Sequence, residues 1–83
     1  MKLDKKATAQ LLGATLRQRR KALNLTQETL GQLAGCGLAF IYEVEKGKAT
    51  VRLDKLLDVL AVLGLQLSVV PGKLGMVVDE RVK

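Results

Sequence analysis

Residues 26–47, TQETLGQLAGCGLAFIYEVEKG, decide how this chain is read. Thr26 has the side chain of a helix N-cap, with Gln27, Glu28 and Thr29 in the first turn, Leu30, Leu33 and Ala34 inward, and Gly35 at the C′ position. That is a helix of barely two turns. Gly37 serves as a weaker cap for a second short helix, expected over Leu38 to Lys46, in which Ile41, Val44 and part of Phe40 face the core and Gly47 ends the run. Only Gly35, Cys36 and Gly37 lie between the two, which makes the stretch a helix, a tight turn and a helix.

Upstream, Thr8 to Leu23 reads as a helix with Leu12, Leu16 and Leu23 on one stripe, Arg17, Arg19, Arg20 and Lys21 in its last turns and Asn24 as its stop. Cations there also suit the negative end of the helix dipole. Downstream, residues 48–51 form a connector. From about Arg52 a fourth helix sets Leu53, Leu56, Leu57, Leu60 and Leu63 along one face and closes at Gly64. Residues 65–70 then alternate with period two, Leu65, Leu67 and Val69 sharing one face, until Pro71-Gly72 breaks the pattern.

A lone strand cannot satisfy its backbone from within a helical domain. If ordered, it pairs with its two-fold mate in a homodimer; the other reading is an extended tail packed on the fourth helix. The expected fold is thus mainly all-α, four helices and a C-terminal β-strand that pairs across the dimer. Residues 1–64 would form the helical unit, 65–71 the dimerisation strand, and 72–83 a tail whose Met76-Val77-Val78 sits among charges. A chain of 83 residues is one domain with a small core, here built of Leu, Val and Ala because Phe40 and Tyr42 are its only aromatics.

The charge is lopsided. Residues 1–24 carry Lys2, Lys5, Lys6, Arg17, Arg19, Arg20 and Lys21 against Asp4 alone, while the remaining basic and acidic residues cancel, leaving the net +6 at one end. Such asymmetry suits a polyanion partner, the alternative being a solvated helix face. Cys36 is the single cysteine and histidine is absent, so a disulfide, a thiolate metal cluster and histidine-based catalysis are not expected, nor is a cofactor. No Ser-His-Asp set, Cys-His pair or phosphate-cradling glycine loop suggests an enzyme. No stretch approaches the ~18 apolar residues of a membrane span, and the polar N-terminus lacks a signal core, which suggests a bacterial cytoplasmic protein without a membrane partner.

Two short helices after a basic one form the helix-turn-helix pattern. "LGATLRQRRKALNLTQETLGQLAG", "FIYEVEKGKATV" and "LDKLLDVLAVLGLQL" together resemble the lambda-repressor/Cro type of helix-turn-helix domain, the XRE-family regulators, over roughly residues 10–70. Four helices followed by a strand are most similar to the HipB-like antitoxins. That resemblance implies a dimeric repressor of a palindromic double-stranded DNA operator that also neutralises a HipA-type serine/threonine kinase toxin. A stand-alone regulator, or a module acting mainly by protein binding, is the alternative.

The resemblance also implies roles. Gln27 matches a phosphate-bonding glutamine, at a helix N-terminus whose amides also favour an anion, and Thr26 adds a secondary phosphate contact to its cap. The alternative for Gln27 is an exposed first-turn polar residue. Arg20 and Glu45 match a structural pair, while Lys46, Lys48 and one or two of the first-helix cations, Arg17 among them, fall where phosphates are neutralised or stand in solvent. The base-reading positions hold Gly37, Leu38, Ala39, Phe40, Tyr42 and Glu43, an apolar first turn where hydrogen-bonding side chains are usual. Leu38, Ala39 and Phe40 could meet thymine methyls, Tyr42 a phosphate or base, and Glu43 a cytosine amino group, although core packing is equally open to Phe40 and is the alternative for Leu38. Cys36 matches a small apolar turn position.

Overall fold

The computed structural model describes residues 3–82; Lys2, part of the basic N-terminal group, and Lys83, the end of the tail, lie outside the described residues. Helix α1 (Lys5–Ala22) begins three residues before the expected Thr8, because the Asp4 carboxylate accepts the Ala7 amide at 3.0 Å. It ends where expected, with Asn24 at φ 58° turning the chain. Helix α2 (Gln27–Ala34) is capped by the Thr26 hydroxyl, which accepts the Thr29 amide at 3.0 Å, and closes on Gly35 in the left-handed region. Helices α3 (Leu38–Glu45) and α4 (Leu53–Val62) complete an all-α fold; among the described residues there is no strand.

Two glycines set how closely the helices approach. A Cβ at Gly31 would lie 2.6 Å from the Gly37 carbonyl carbon, so α2 presses on the turn that leads into α3. The Gly31 carbonyl accepts the Cys36 and Gly37 amides at 3.0 and 3.2 Å, closing that turn. On α1, a Cβ at Gly13 would stand 2.8 Å from the Glu45 carbonyl oxygen and closer still to that of Val44, so α1 and the end of α3 meet backbone to backbone.

The core is Leu16, Leu30, Ile41, Val44, Leu56, Val59, Leu60 and Leu63, drawn from every helix. The stripes hold only in part. On α4 the buried positions are 56, 59, 60 and 63, while Leu53 and Leu57 are 58% and 46% exposed. Packing on one side only buries one arc of a helix, and Val59 rather than Leu57 completes it. Leu33 and Leu23 likewise point outward rather than in.

The expected strand is corrected as well. Residues 65–70 lie in no ladder, because the single chain offers no second backbone edge to receive their hydrogen bonds. Leu65 remains half-buried against the core, and its amide bonds the Leu60 carbonyl at 2.9 Å as part of the α4 cap. Leu67 and Val69, expected on the same face, are exposed, Val69 by 95%. The alternative of a tail packed on α4 therefore holds at Leu65 and not beyond it. Near the end of the chain, Asp79 and Arg81 form a paired turn at 2.8–2.9 Å, and Arg81 pulls the Asp79 carboxyl down to about 2.

Candidate nucleic-acid interface

Helix α3 turns a definite face outward. At 100° per residue, burial of Ile41 and Val44 leaves Ala39, Tyr42 and Glu43 on the opposite side with Leu38 at its flank, and all four are exposed. Gly37 stands at the start of that face, without a side-chain cap for the helix. Phe40 is turned away from it: the ring packs against the core, with Lys55 Nζ of α4 5.7 Å from its centroid. The choice left open for Phe40 thus falls on the core side.

What fixes this face in space is a buried polar knot. Arg20 of α1 donates Nε–H to Glu45 Oε2 at 2.7 Å and Nη2–H to Oε1 at 2.9 Å, and its Nη1 reaches the Leu25 carbonyl at 2.8 Å. The two side chains are only 9% and 3% exposed, and the hydrogen bonds to Glu45 hold the guanidinium above its ordinary pKa despite burial. Each of the three guanidinium nitrogens is thus matched. The last residue of α3 is therefore locked to α1 beside the Gly13 contact.

The Gln27 amide joins the same knot, donating from Nε2 to Glu45 Oε1 at 3.1 Å. Reversing that amide would set two acceptors against each other, so the carboxylate fixes its orientation. One N–H is committed to Glu45, and the amide carries a second. Thr26 is more fully occupied: its hydroxyl accepts the Thr29 amide and donates to the Thr29 hydroxyl at 2.9 Å. The cap uses its only donor.

The α1 cations, which their spacing spreads around the helix, occupy different surroundings. Arg20 is in the knot, and Arg19 sends Nε to the Leu63 carbonyl at 2.8 Å, placing its charge at the negative end of α4. Sequence reasoning missed that second role, since nothing local links residues 44 apart. Arg17 and Lys21 border a shallow depression with Ala14, Gln18 and Glu45, beside the knot.

After α3 the chain turns at Gly47 and returns two lysines to the outward face. Lys46 Nζ stands 5.4 Å from the centroid of the Tyr42 ring, and Lys48 Nζ pairs with Glu43 Oε2 at 2.9 Å. Cys36 is half-buried at the turn, and burial pushes its thiol pKa up, as suits a packing residue. Among the described residues no group of His, Cys, Asp and Glu could hold a metal, and no helix is long and apolar enough to cross a membrane.

A sequence model described as a helix-turn-helix domain matches residues 11–71. The uncharacterized HTH-type transcriptional regulator y4mF of Sinorhizobium fredii (strain NBRC 101917 / NGR234) is 43% identical over 63 residues, 75% of this chain and 83% of that protein. The crystal structure of the restriction-modification controller protein C.AhdI from Aeromonas hydrophila is similar in fold with a TM-score of 0.67 and 33% identity, covering 72% of this chain and 91% of that one.

Proposed function

We propose that this chain, which belongs to the helix-turn-helix family of transcriptional regulators, is a sequence-specific repressor that binds a palindromic DNA operator as a homodimer. The observation that carries this reading is the outward face of α3, free of core duties at Leu38, Ala39, Tyr42 and Glu43 and fixed by the Arg20–Glu45–Gln27 knot. An exposed helix held rigidly beside cations suits the major groove. The regulator and controller named among its relatives support the regulatory part of the reading.

In this docking Gln27 gives its remaining N–H to a phosphate, the amides at the α2 start add to it, and Arg17 and Lys46 neutralise further phosphates. Thr26 supports by capping. Gly37 lets the backbone come close to the groove wall. The apolar Leu38 and Ala39 contact thymine methyls, and operator spacing and deformability supply the rest of the selectivity. Leu65, Leu67 and Val69 supply the dimer contact by pairing two-fold with a second chain, and the full exposure of Val69 in one chain is consistent with that use.

The HipB-like resemblance adds a second role, that of an antitoxin holding a HipA-type kinase toxin. It rests on the alternating segment 65–70. Co-expression with the product of an adjacent kinase-like reading frame tests it: a stable complex supports the antitoxin role, and the absence of such a frame removes it. The DNA reading is tested by selecting bound sequences from random duplexes with the purified chain. A palindromic motif bound with an affinity that falls steeply with salt supports it, and weak binding without sequence preference overturns it.

A further inference from the structure

From the pairing of Glu43 with Lys48, we infer that the two act as one reading unit: Glu43 selects a C·G base pair, and Lys48 is its counter-ion rather than a phosphate contact. This inference rests on the DNA-binding reading above. Glu43 is the one ionised residue on the outward face of α3. A lone carboxylate there would be driven from the groove, because phosphates on both strands lie within about 8–10 Å screening distance. Lys48 Nζ, 2.9 Å from Oε2, makes the pair neutral.

The pair is built into the backbone as well. The Lys48 amide donates to the Glu43 carbonyl at 3.1 Å, so the residue carrying the cation is anchored to the residue carrying the anion. Gly47 makes that return possible with φ 90°, and a Cβ there would stand 2.8 Å from Gln10 Cγ of α1, which pins the loop against the first helix. Lys46 leaves on the other side of the same glycine toward Tyr42. Each polar side chain of the reading face thus has its own lysine.

The chemistry of the free oxygen decides the base. Glu43 Oε1 has no partner among the described residues, and an ionised carboxylate only accepts. In the major groove the donors are the amino groups of cytosine and adenine, but adenine sets the acceptor N7 beside its amino group. A second carboxylate oxygen is repelled there. Cytosine is the match.

The test compares the full-length chain with Glu43→Gln, Lys48→Gln and the double variant, each by selection from random duplex DNA and by titration on the selected site. The wild type is expected to require cytosine at one position of each half-site. Glu43→Gln should lose that preference by about tenfold and move toward adenine, which glutamine bonds through N6 and N7. Lys48→Gln should weaken binding by more than tenfold, and the double variant should regain most of that loss, since an unmasked carboxylate is its cause. An unchanged cytosine preference in Glu43→Gln, or independent losses that simply multiply in the double variant, overturns the reading unit while leaving DNA binding standing. A wild-type chain that selects no sequence overturns the DNA reading and this inference with it.

Discussion

Replacing Glu45 by alanine should be the most damaging single polar substitution in the chain. It removes both arms of the Arg20 fork and the acceptor of Gln27, and leaves a guanidinium that is nine-tenths buried without a counter-ion. Breaking a buried pair from one side costs about 3–5 kcal/mol, chiefly because the orphaned charge must be desolvated. At roughly 0.05–0.15 kcal/mol per residue the whole domain holds about 4–12 kcal/mol, so the loss is a large share of the total. The melting temperature should fall by about 12 °C or more, at about 4–8 °C per kcal/mol for a domain of this size. Circular dichroism reads both, the free-energy loss from a denaturant titration and the melting shift from a thermal scan. Arg20→Met with Glu45→Leu, which removes both charges and restores apolar volume, should recover most of the stability. A Glu45→Ala loss below about 1 kcal/mol, or a double variant no better than the single one, would refute the reasoning, for then the pair would behave as a surface bridge.

Gly31→Ala should destabilise by about 1–3 kcal/mol in the same titration, although alanine is the better helix former by about 1 kcal/mol, because the methyl meets the Gly37 backbone at 2.6 Å; a stabilised variant would mean that α2 and the turn are not in contact. Leu16→Ala, at a fully buried site, should cost about 2–5 kcal/mol, whereas Leu57→Ala on the exposed side of α4 should cost less than about 1 kcal/mol; equal losses would restore the stripe expected from sequence. Val69→Lys should leave the melting of a dilute monomer unchanged and shift sedimentation equilibrium toward monomer, and unchanged self-association would remove segment 65–70 from the dimer contact. The Asp79 carboxyl, followed by carbon NMR, should titrate near 2 because its hydrogen bonds to Arg81 favour the charged form. A folded pKa below the free value of 3.8 means that the turn's stabilisation is complete above 3.8 and is lost as pH falls through about 2; a midpoint near 3.8 would show that the turn is not formed.

The parts legible in the sequence are those set by local chemistry. Thr26, Gly35 and Asn24 mark helix ends because a cap needs a side-chain acceptor or a left-handed residue within one turn, and the sequence states both. The parts missed depend on distant neighbours. Arg19 reads as one of four clustered cations until α4 brings the Leu63 carbonyl to it. Leu53 and Leu57 have the right spacing for a buried face, but which arc is buried is decided by where α2 lies, and spacing alone cannot choose between adjacent arcs. The outward face of α3 follows from Ile41 and Val44, whereas the direction of the Phe40 ring needed Lys55 and the core on its far side.

The knot also means that stability and DNA docking cannot be separated at Glu45, since one carboxylate holds the end of α3, the guanidinium of α1 and the amide of Gln27. Gln27 offers the separation. Its side chain is half-buried and contributes one hydrogen bond at 3.1 Å to a carboxylate that keeps both arms of Arg20 when the amide is gone. Gln27→Ala should therefore cost about 1.5–3 kcal/mol of stability, the net worth of a hydrogen bond to a charged group, and leave α3 held by both arms of Arg20. If the remaining N–H of Gln27 meets a phosphate in each half-site, operator affinity should nonetheless fall by about tenfold, equally on all sequences and with the selected motif unchanged. Full affinity in a folded Gln27→Ala variant would refute the placement of α2 against the DNA backbone. A fall in affinity with an altered motif would instead mean that Gln27 acts by steering α3, and that its bond to Glu45, not its bond to phosphate, is the one that matters.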